Sequence, residues 1–575
     1  MERRLLFVFA LTFLAIVLFQ RFFFKQPPPT PPQKQEQQSG QSEQAAKDTQ
    51  PAAAVASAAA ATPSPAKQAS DEQTTTIEND LYKVTFTNKG GLVKSWILKK
   101  FTDNKSQPLE LVNLAASEKF GYPLSLWTHD QALRDKLNSA LYVVNASGSN
   151  APAEITFEFS DGDLAVRKKL KFDHSYEVHV ETAVTRGGYY VQAFPAWPAG
   201  FGDATVPASY AAARIEYFDG NEVKRLSPDP KGKDLSGGNT LRGTYYWAGT
   251  VDQYFGAIFL PDRPNDLVLV TLQNELHIPK NANRPKPNET TLVHVLGAAV
   301  GNPNGPTAGR LFVGPKTLDV LDSVHANDAS GGQGVSLRRA VDFGFFGFIA
   351  EPLFLWLRWT YHHVVSNWGW AIIILTVIIY IALLPLRLSS MKSALKMQKV
   401  APQMKAIQDK YKKYSIKDPR RQEMNAEIGA LYKQHKVNPV GGCLPLIIQM
   451  PFLFAFYSML NAAIELRHAK FLWLSDLSAP DPYYILPIAI VLSTVLMQKM
   501  TPQAGMDPAQ QRMLNIMMPV MLGFFSYTVA SGLGLYWVTG TIVSIVQQWV
   551  MNRTELGREI REEAEKRARK AQLKK

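Results

Sequence analysis

The chain has 575 residues, 46% of them hydrophobic, with a mean hydropathy near zero and a formal net charge of +13. That length exceeds one domain, and the balance fits an apolar membrane part joined to a soluble part. The single cysteine, Cys443, excludes an intramolecular disulfide, and its place inside an apolar run speaks against a metal or redox role.

Residues 1–25 read as an N-terminal transmembrane anchor. Leu5–Phe19 is an apolar run behind Arg3 and Arg4, followed by Arg21 and Pro27–Pro29 rather than a small-residue cleavage site. Residues 26–76 are rich in Pro, Gln, Ala and Ser and read as a disordered linker, because such a composition cannot bury a core. Residues 77–337 change character. Tyr82–Thr87, Glu154–Phe159 and Tyr176–Thr182 alternate apolar and polar residues, Leu267–Leu272 and Thr291–Val295 are apolar, and Asn88-Lys-Gly-Gly91 and Asp161-Gly-Asp163 mark turns. Short strands and polar turns predict an all-β, sandwich-like domain, periplasmic if the first span crosses outward.

Residues 338–363 are rich in Phe and Trp but carry Glu351, Pro352 and Arg358, which predicts an amphipathic helix lying in the membrane interface. Residues 364–552 read as a transmembrane core. Five spans of about 17–25 residues, the length a bilayer requires, fall near 366–386, 440–464, 482–498, 513–530 and 533–551. With the anchor they make six. Residues 387–436 carry +9 and residues 553–575 carry +4, which together account for the whole positive excess. Lys and Arg mark cytoplasmic segments, so both termini and the loop 389–436 are placed inside. That loop reads as a helical hairpin: Met397, Val400, Met404, Ile407 and Tyr411 form one seam, Met424, Ile428 and Leu431 the facing one, and Asp418-Pro419 opens the second helix. The basic tail 553–575 has a second reading, contact with ribosomal RNA phosphates; no specific DNA binding is expected.

The stretch Val437–Pro451 holds three prolines, Gly441-Gly442 and Gln449 where a plain span would be wholly apolar. Such breakers are tolerated only where neighbouring helices or water satisfy the freed groups. At 100° per residue, polar residues elsewhere fall into stripes. Thr376, Tyr380 and Arg387 share one face; Thr494, Gln498 and Thr501 a second; Asn515 and Ser526, with Pro519 between them, a third; Trp537, Thr541, Ser544 and Gln548 a fourth. Taken singly, these residues read as interhelical glue, at about 0.6 kcal/mol per contact. Taken together, they predict an uncharged polar cavity biased to the cytoplasmic side. No phosphate loop, His-Glu-x-x-His or Gly-x-Ser-x-Gly motif occurs, and His362-His363 reads as an interface anchor, so no enzyme, cofactor or metal is expected. The competing functions are a small-solute transporter or channel and a structural envelope tether.

The basic hairpin, Val437–Pro451, Asp481-Pro-Tyr-Tyr-Ile-Leu-Pro487, Gln498-Lys-Met500, Asp507-Pro-x-Gln-Gln511, Met518-Pro519, Ser531-Gly-Leu-x-Leu-Tyr536 and Gln547-Gln548 together resemble the YidC/Oxa/Alb family of membrane protein insertases. The layout resembles its Gram-negative form, with an anchor and a large periplasmic domain in the inner membrane. The resemblance implies a five-helix core with a hydrophilic groove along which transmembrane segments of nascent membrane proteins enter the bilayer. It implies action alone or with the Sec translocon and no cofactor or nucleotide; the basic face of the hairpin 389–436 separately suggests contact with membrane lipid headgroups, a ribosome or an incoming chain. By position it puts Thr376 in the groove, Gln449 and Pro451 in the substrate-contact region, and Tyr536 and Trp537 at a tyrosine pair whose second member is replaced. One departure stands out: where the family often has a groove arginine, four residues after Thr376, this chain has Tyr380. The next positive charge on that face is Arg387, seven residues and about 10 Å further on.

Overall fold

The computed structural model describes residues 66–228, 235–280, 289–328, 330, 332–411, 414, 418–437, 444–500, 508–555, 558–559 and 562. The expected anchor 1–25, Cys443 and Gly441-Gly442, Thr501 and most of the basic tail lie outside the described residues. What is described falls into two compact units divided between Val341 and Asp342.

The first unit is built of antiparallel sheets. The largest has ten strands, among them, as consecutive neighbours, Phe255–Pro261, Thr307–Pro315, Glu177–Arg186, Leu164–Phe172 and Ala153–Asp161. A five-stranded sheet holds Leu235–Gly243, Leu267–Pro279, Thr290–Gly301, Phe194–Trp197 and Ser125–Trp127 in that order. The two pack together where Arg214–Phe218 and Trp247–Val251 of the larger meet Thr290–Gly301. Four- and two-stranded sheets complete the unit. The burial of each strand follows its sequence period. Ala153–Asp161 alternates between the core and a half-covered face, whereas all of Phe255–Pro261 is buried, as expected of an apolar run covered on both sides.

Residues 66–76, expected to belong to the linker, are part of this unit instead. Thr74–Glu78 pairs as an edge strand with Tyr82–Thr87, and the backbone of Lys67 bonds to Ser160 while its ammonium pairs with Glu158 at 2.7 Å. The misreading has a physical cause: an edge strand with one wet face needs few apolar residues, and Ile77 is the only fully buried one there.

The turn at Asn88–Gly91 organises a buried cation. Gly90 and Gly91 have φ of +71° and +56°, and a Cβ on Gly90 would lie 2.4 Å from the Asn138 carbonyl oxygen. Glycine is therefore required at Gly90. The freed carbonyls of Gly90 (2.7 Å) and Gly91 (3.3 Å), with that of Leu124 (2.7 Å), accept from the Nζ of Lys168, which is 2% exposed. Three acceptors match the three donors of an ammonium.

The second unit is helical. We label its helices α1 (Gly347–His363), α2 (Trp368–Ala382), α3 (Leu384–Tyr411), α4 (Arg420–Gln434), α5 (Leu444–Ala462), α6 (Ile485–Met500), α7 (Pro508–Ser526) and α8 (Ser531–Arg553). α8 packs on α2 and α6, α7 on α6, and α1 on α2 and α5. The expected interfacial helix over 338–363 begins later than its composition suggests. Asp342 accepts from the Gly344 amide, and Gly344 has φ of +68°, so the chain turns before helix can start at Gly347. Phe345, Phe348, Trp356 and Trp359 are exposed, while Leu353, Phe354 and Leu357 are buried.

The expected span 366–386 is not one straight helix. α2 and α3 meet at a 48° bend. Pro385, in the first turn of α3, lacks the N–H that would continue the α2 ladder, and Leu383 closes α2 by bonding back to Ile379. Among the described residues no single helix is long and apolar enough to cross a membrane; α2 with the first part of α3 passes that test only as a bent pair. α3 and α4 form the hairpin expected over 389–436, closed by Val400, Met404, Leu431 and Val437. The loop before α6 is tied down: Asp481 accepts from the amides of Tyr483 and Leu486, and the first amides of α8, those of Ser531 and Gly532, donate to the Ala479 and Leu477 carbonyls.

Burial holds the Lys168 ammonium pKa down to about 7, against 10.5 for a free lysine. Between those values the unfolded chain keeps a proton that the folded chain has released, so this group makes stability rise with pH. Urea titrations read by hydrogen exchange of the strand Leu164–Phe172 should show stability rising from pH 7 to pH 9, with a shallower slope in Lys168→Met. Equal slopes would exclude the effect.

Candidate functional site

The polar residues of the helical unit sort into two kinds. Those of the first kind satisfy themselves within their own helix. Thr376, 0% exposed, donates to the Ile372 carbonyl at 2.6 Å. Thr541 donates to the Trp537 carbonyl at 2.9 Å and Ser526 to the Gly523 carbonyl at 2.8 Å. Gln548, 1% exposed, donates to Asn552 one turn on. Back-bonded hydroxyls of this sort present little polarity to a neighbour.

Those of the second kind reach across helices, and they meet at Tyr380. Its hydroxyl accepts from Nε2 of Gln449 on α5, and its backbone carbonyl accepts from Nε2 of Gln547 on α8 at 3.0 Å. The Oε1 of the same Gln547 accepts from the Arg387 guanidinium on α3 at 2.8 Å. A second Arg387 nitrogen lies 3.8 Å from Sδ of Met497 on α6. Tyr536, 2% exposed, stacks on Phe456 at 4.2 Å, and its buried hydroxyl lies beside Tyr380 without a hydrogen bond of good geometry.

A glycine makes room for this seam. A Cβ on Gly540 of α8 would lie 2.4 Å from the Tyr380 hydroxyl and 2.5 Å from its ring. Tyr536, Gly540 and Gln547 stand four and seven residues apart, so they share one face of α8 and turn it toward α2. The sequence pattern suggested Trp537, Thr541, Ser544 and Gln548, a face rotated by one residue. Polarity alone could not reveal the correct phase, because its central member is a glycine.

The other expected residues lie outside this seam. Gln498 donates toward Sδ of Met518 at 3.7 Å, linking α6 to α7. Thr494 is buried on α6. Asn515 and Ser544 are half-buried, and Pro451 lies in the body of α5, two residues from Gln449. Trp537 is half-buried among Ile490, Leu522, Phe525 and Leu533, an apolar setting at the α6–α7–α8 junction. His363 stacks on Trp359 and His362 meets Tyr361 edge-on, so this pair is packed with aromatic rings.

The outward faces are apolar. Ile488, Leu492, Ile516, Val520 and Phe524 are exposed, while the polar seam points inward. This inverts the pattern of a bundle that folds in water and fits the class of helical membrane proteins. Comparison with known proteins gives the particular family. The family described as 60Kd inner membrane protein matches residues 359–558, and the family described as YidC periplasmic domain matches residues 74–356. The protein named membrane protein insertase YidC from Geobacter sulfurreducens is 34% identical over 493 residues, covering 82% of this chain and 85% of that one. Its namesakes from Syntrophus aciditrophicus and Geobacter metallireducens are each 33% identical, covering 85% and 84% of this chain and 86% of each relative. The chain belongs to the YidC family.

Replacing Gly540 by Ala pushes a methyl into the Tyr380 ring. Overpacking of this kind costs about 1–3 kcal/mol, so Gly540→Ala should lower the Tm of the purified protein in detergent. Gly540→Ala combined with Tyr380→Ala, which vacates the space, should recover part of the loss; no recovery would break the link between the two residues.

Proposed function

We propose that this protein is a membrane protein insertase. It receives transmembrane segments of nascent membrane proteins and passes them into the bacterial inner membrane along the Tyr380 seam, alone or beside the Sec translocon. The observation that carries the reading is a chain of polar groups on α2, α3, α5 and α8 enclosed in a bundle with apolar outer faces. Such a seam lowers the cost of bringing a polar client segment part-way into hydrocarbon, where an unmet polar group costs several kcal/mol. The work is binding and desolvation, with no bond made or broken, so no catalytic residue is assigned. The seam holds no carboxylate among the described residues, which disfavours an ion-coupled transporter.

In this reading α2, α5, α6, α7 and α8 are spans and residues 1–25 a sixth. The hairpin α3–α4 lies in the cytoplasm, within reach of lipid headgroups and a translating ribosome, and the β unit lies in the periplasm. α1, with exposed Phe345, Phe348, Trp356 and Trp359, rests at the outer interface. Arg387 supplies the positive charge that Tyr380 does not, and it attracts acidic client tails from a shallower position.

The reading is tested by photocrosslinking during synthesis of a single-span client. A probe at Gln449, half-buried on the seam, should capture the client. One at Thr376, buried and bonded within its own helix, should not. Capture at neither position, with wild-type protein failing to raise client insertion in liposomes, overturns the assignment. Separately, Arg387→Ala should reduce insertion of a client with a short acidic N-terminal tail by about tenfold, the scale of one charge-assisted hydrogen bond, and Tyr380→Arg should increase it.

A further inference from the structure

We propose that Gln547 is the positioning residue that sets this protein's preference for clients with acidic tails, by holding the Arg387 guanidinium inside the bundle without neutralising it. The proposal rests on the insertase reading and deepens it.

The argument starts from the amide. Gln547 uses both ends at once: Oε1 accepts from Arg387, and Nε2 donates to the Tyr380 carbonyl. Among side chains of this length only a neutral amide can do both, since a carboxylate cannot donate and an ammonium cannot accept. The contact with Met497 is to a weakly accepting thioether sulfur. Neither partner carries charge, and no carboxylate lies within ion-pair distance of Arg387 among the described residues. A guanidinium has five N–H donors, and these two contacts leave others available. A half-buried, uncompensated guanidinium with donors to spare is a receptor for one carboxylate, and attraction there is stronger than in water.

The amide also fixes where the charge sits. Arginine is long enough to carry its head toward the aqueous side when nothing holds it. Tied to α8 by Gln547, the guanidinium stays near the backbone of Tyr380.

The test uses the full chain in liposomes with two versions of one single-span client, its N-terminal tail carrying Asp or Asn at the same positions. The readout is the ratio of acidic-tail to neutral-tail insertion within each variant. Gln547→Glu places a carboxylate on Arg387 and should lower that ratio about tenfold, the scale of a charge-assisted hydrogen bond. Gln547→Met keeps the length but releases the guanidinium, and should lower it less. An unchanged ratio in both variants, or equal loss for both clients as a merely structural role would give, overturns the proposal. Wild-type protein that inserts neither client would instead refute the insertase reading, so the two failures are distinct.

Discussion

A polar group buried among these apolar helices is costly unless another polar group meets it, and the Tyr536 and Ser390 hydroxyls are left without a hydrogen bond. The helical unit obeys this constraint in two ways, and its architecture follows from the difference. Thr376, Thr541 and Ser526 close onto carbonyls of their own helices and ask nothing of their neighbours. Tyr380, Gln449, Gln547 and Arg387 cannot do so and are met only when four helices assemble. Each such contact is worth only about 0.6 kcal/mol on average. Their value is in specifying how the helices meet, since apolar packing alone does not distinguish one rotation of a helix from another.

The β unit shows the same logic in water. Lys168 is buried because glycines at a left-handed turn and a nearby backbone turn three carbonyls toward one point. Both units thus use a glycine to admit a polar group. Gly90 allows a backbone conformation that exposes carbonyls, while Gly540 removes a methyl where a phenol must fit. The first need is conformational and the second steric.

Much of this was legible in the sequence. The strand Tyr82–Thr87 and the Leu267–Leu272 part of the strand Leu267–Pro279 follow from alternation or apolar runs, and the hairpin core of Val400, Met404 and Leu431 follows from heptad-like spacing. Tyr380 and Arg387 were marked by polarity on one face, and Gln449 by its odd position. What stayed hidden has specific causes. A helical wheel shows where a hydroxyl points but not whether its own carbonyl has satisfied it, so Thr376 and Thr541 looked more available than they are. A glycine contributes nothing to a polarity pattern, so the pattern on α8 favours the face of Trp537, Thr541, Ser544 and Gln548, one residue away from the face of Tyr536, Gly540 and Gln547 that meets Tyr380. The break at Pro385 was masked by the apolar residues around it, which keep hydropathy high through the bend.

That bend has a mechanical consequence. α3 has 28 residues and is therefore about 42 Å long, while Arg387 is its fourth residue, about 5 Å from a fulcrum at the start of the helix. A tilt of about 5° would carry the Tyr411 end through nearly 4 Å but shift the Arg387 backbone by only about 0.4 Å, taking the helix as a rigid rod of 1.5 Å per residue. The helix is a lever with a gear ratio of about eight. Large excursions of the basic hairpin, whatever it touches, reach the polar seam as displacements smaller than a hydrogen bond's tolerance. The same gearing run backward turns a small adjustment around Gln547 into a wide swing of the hairpin tip.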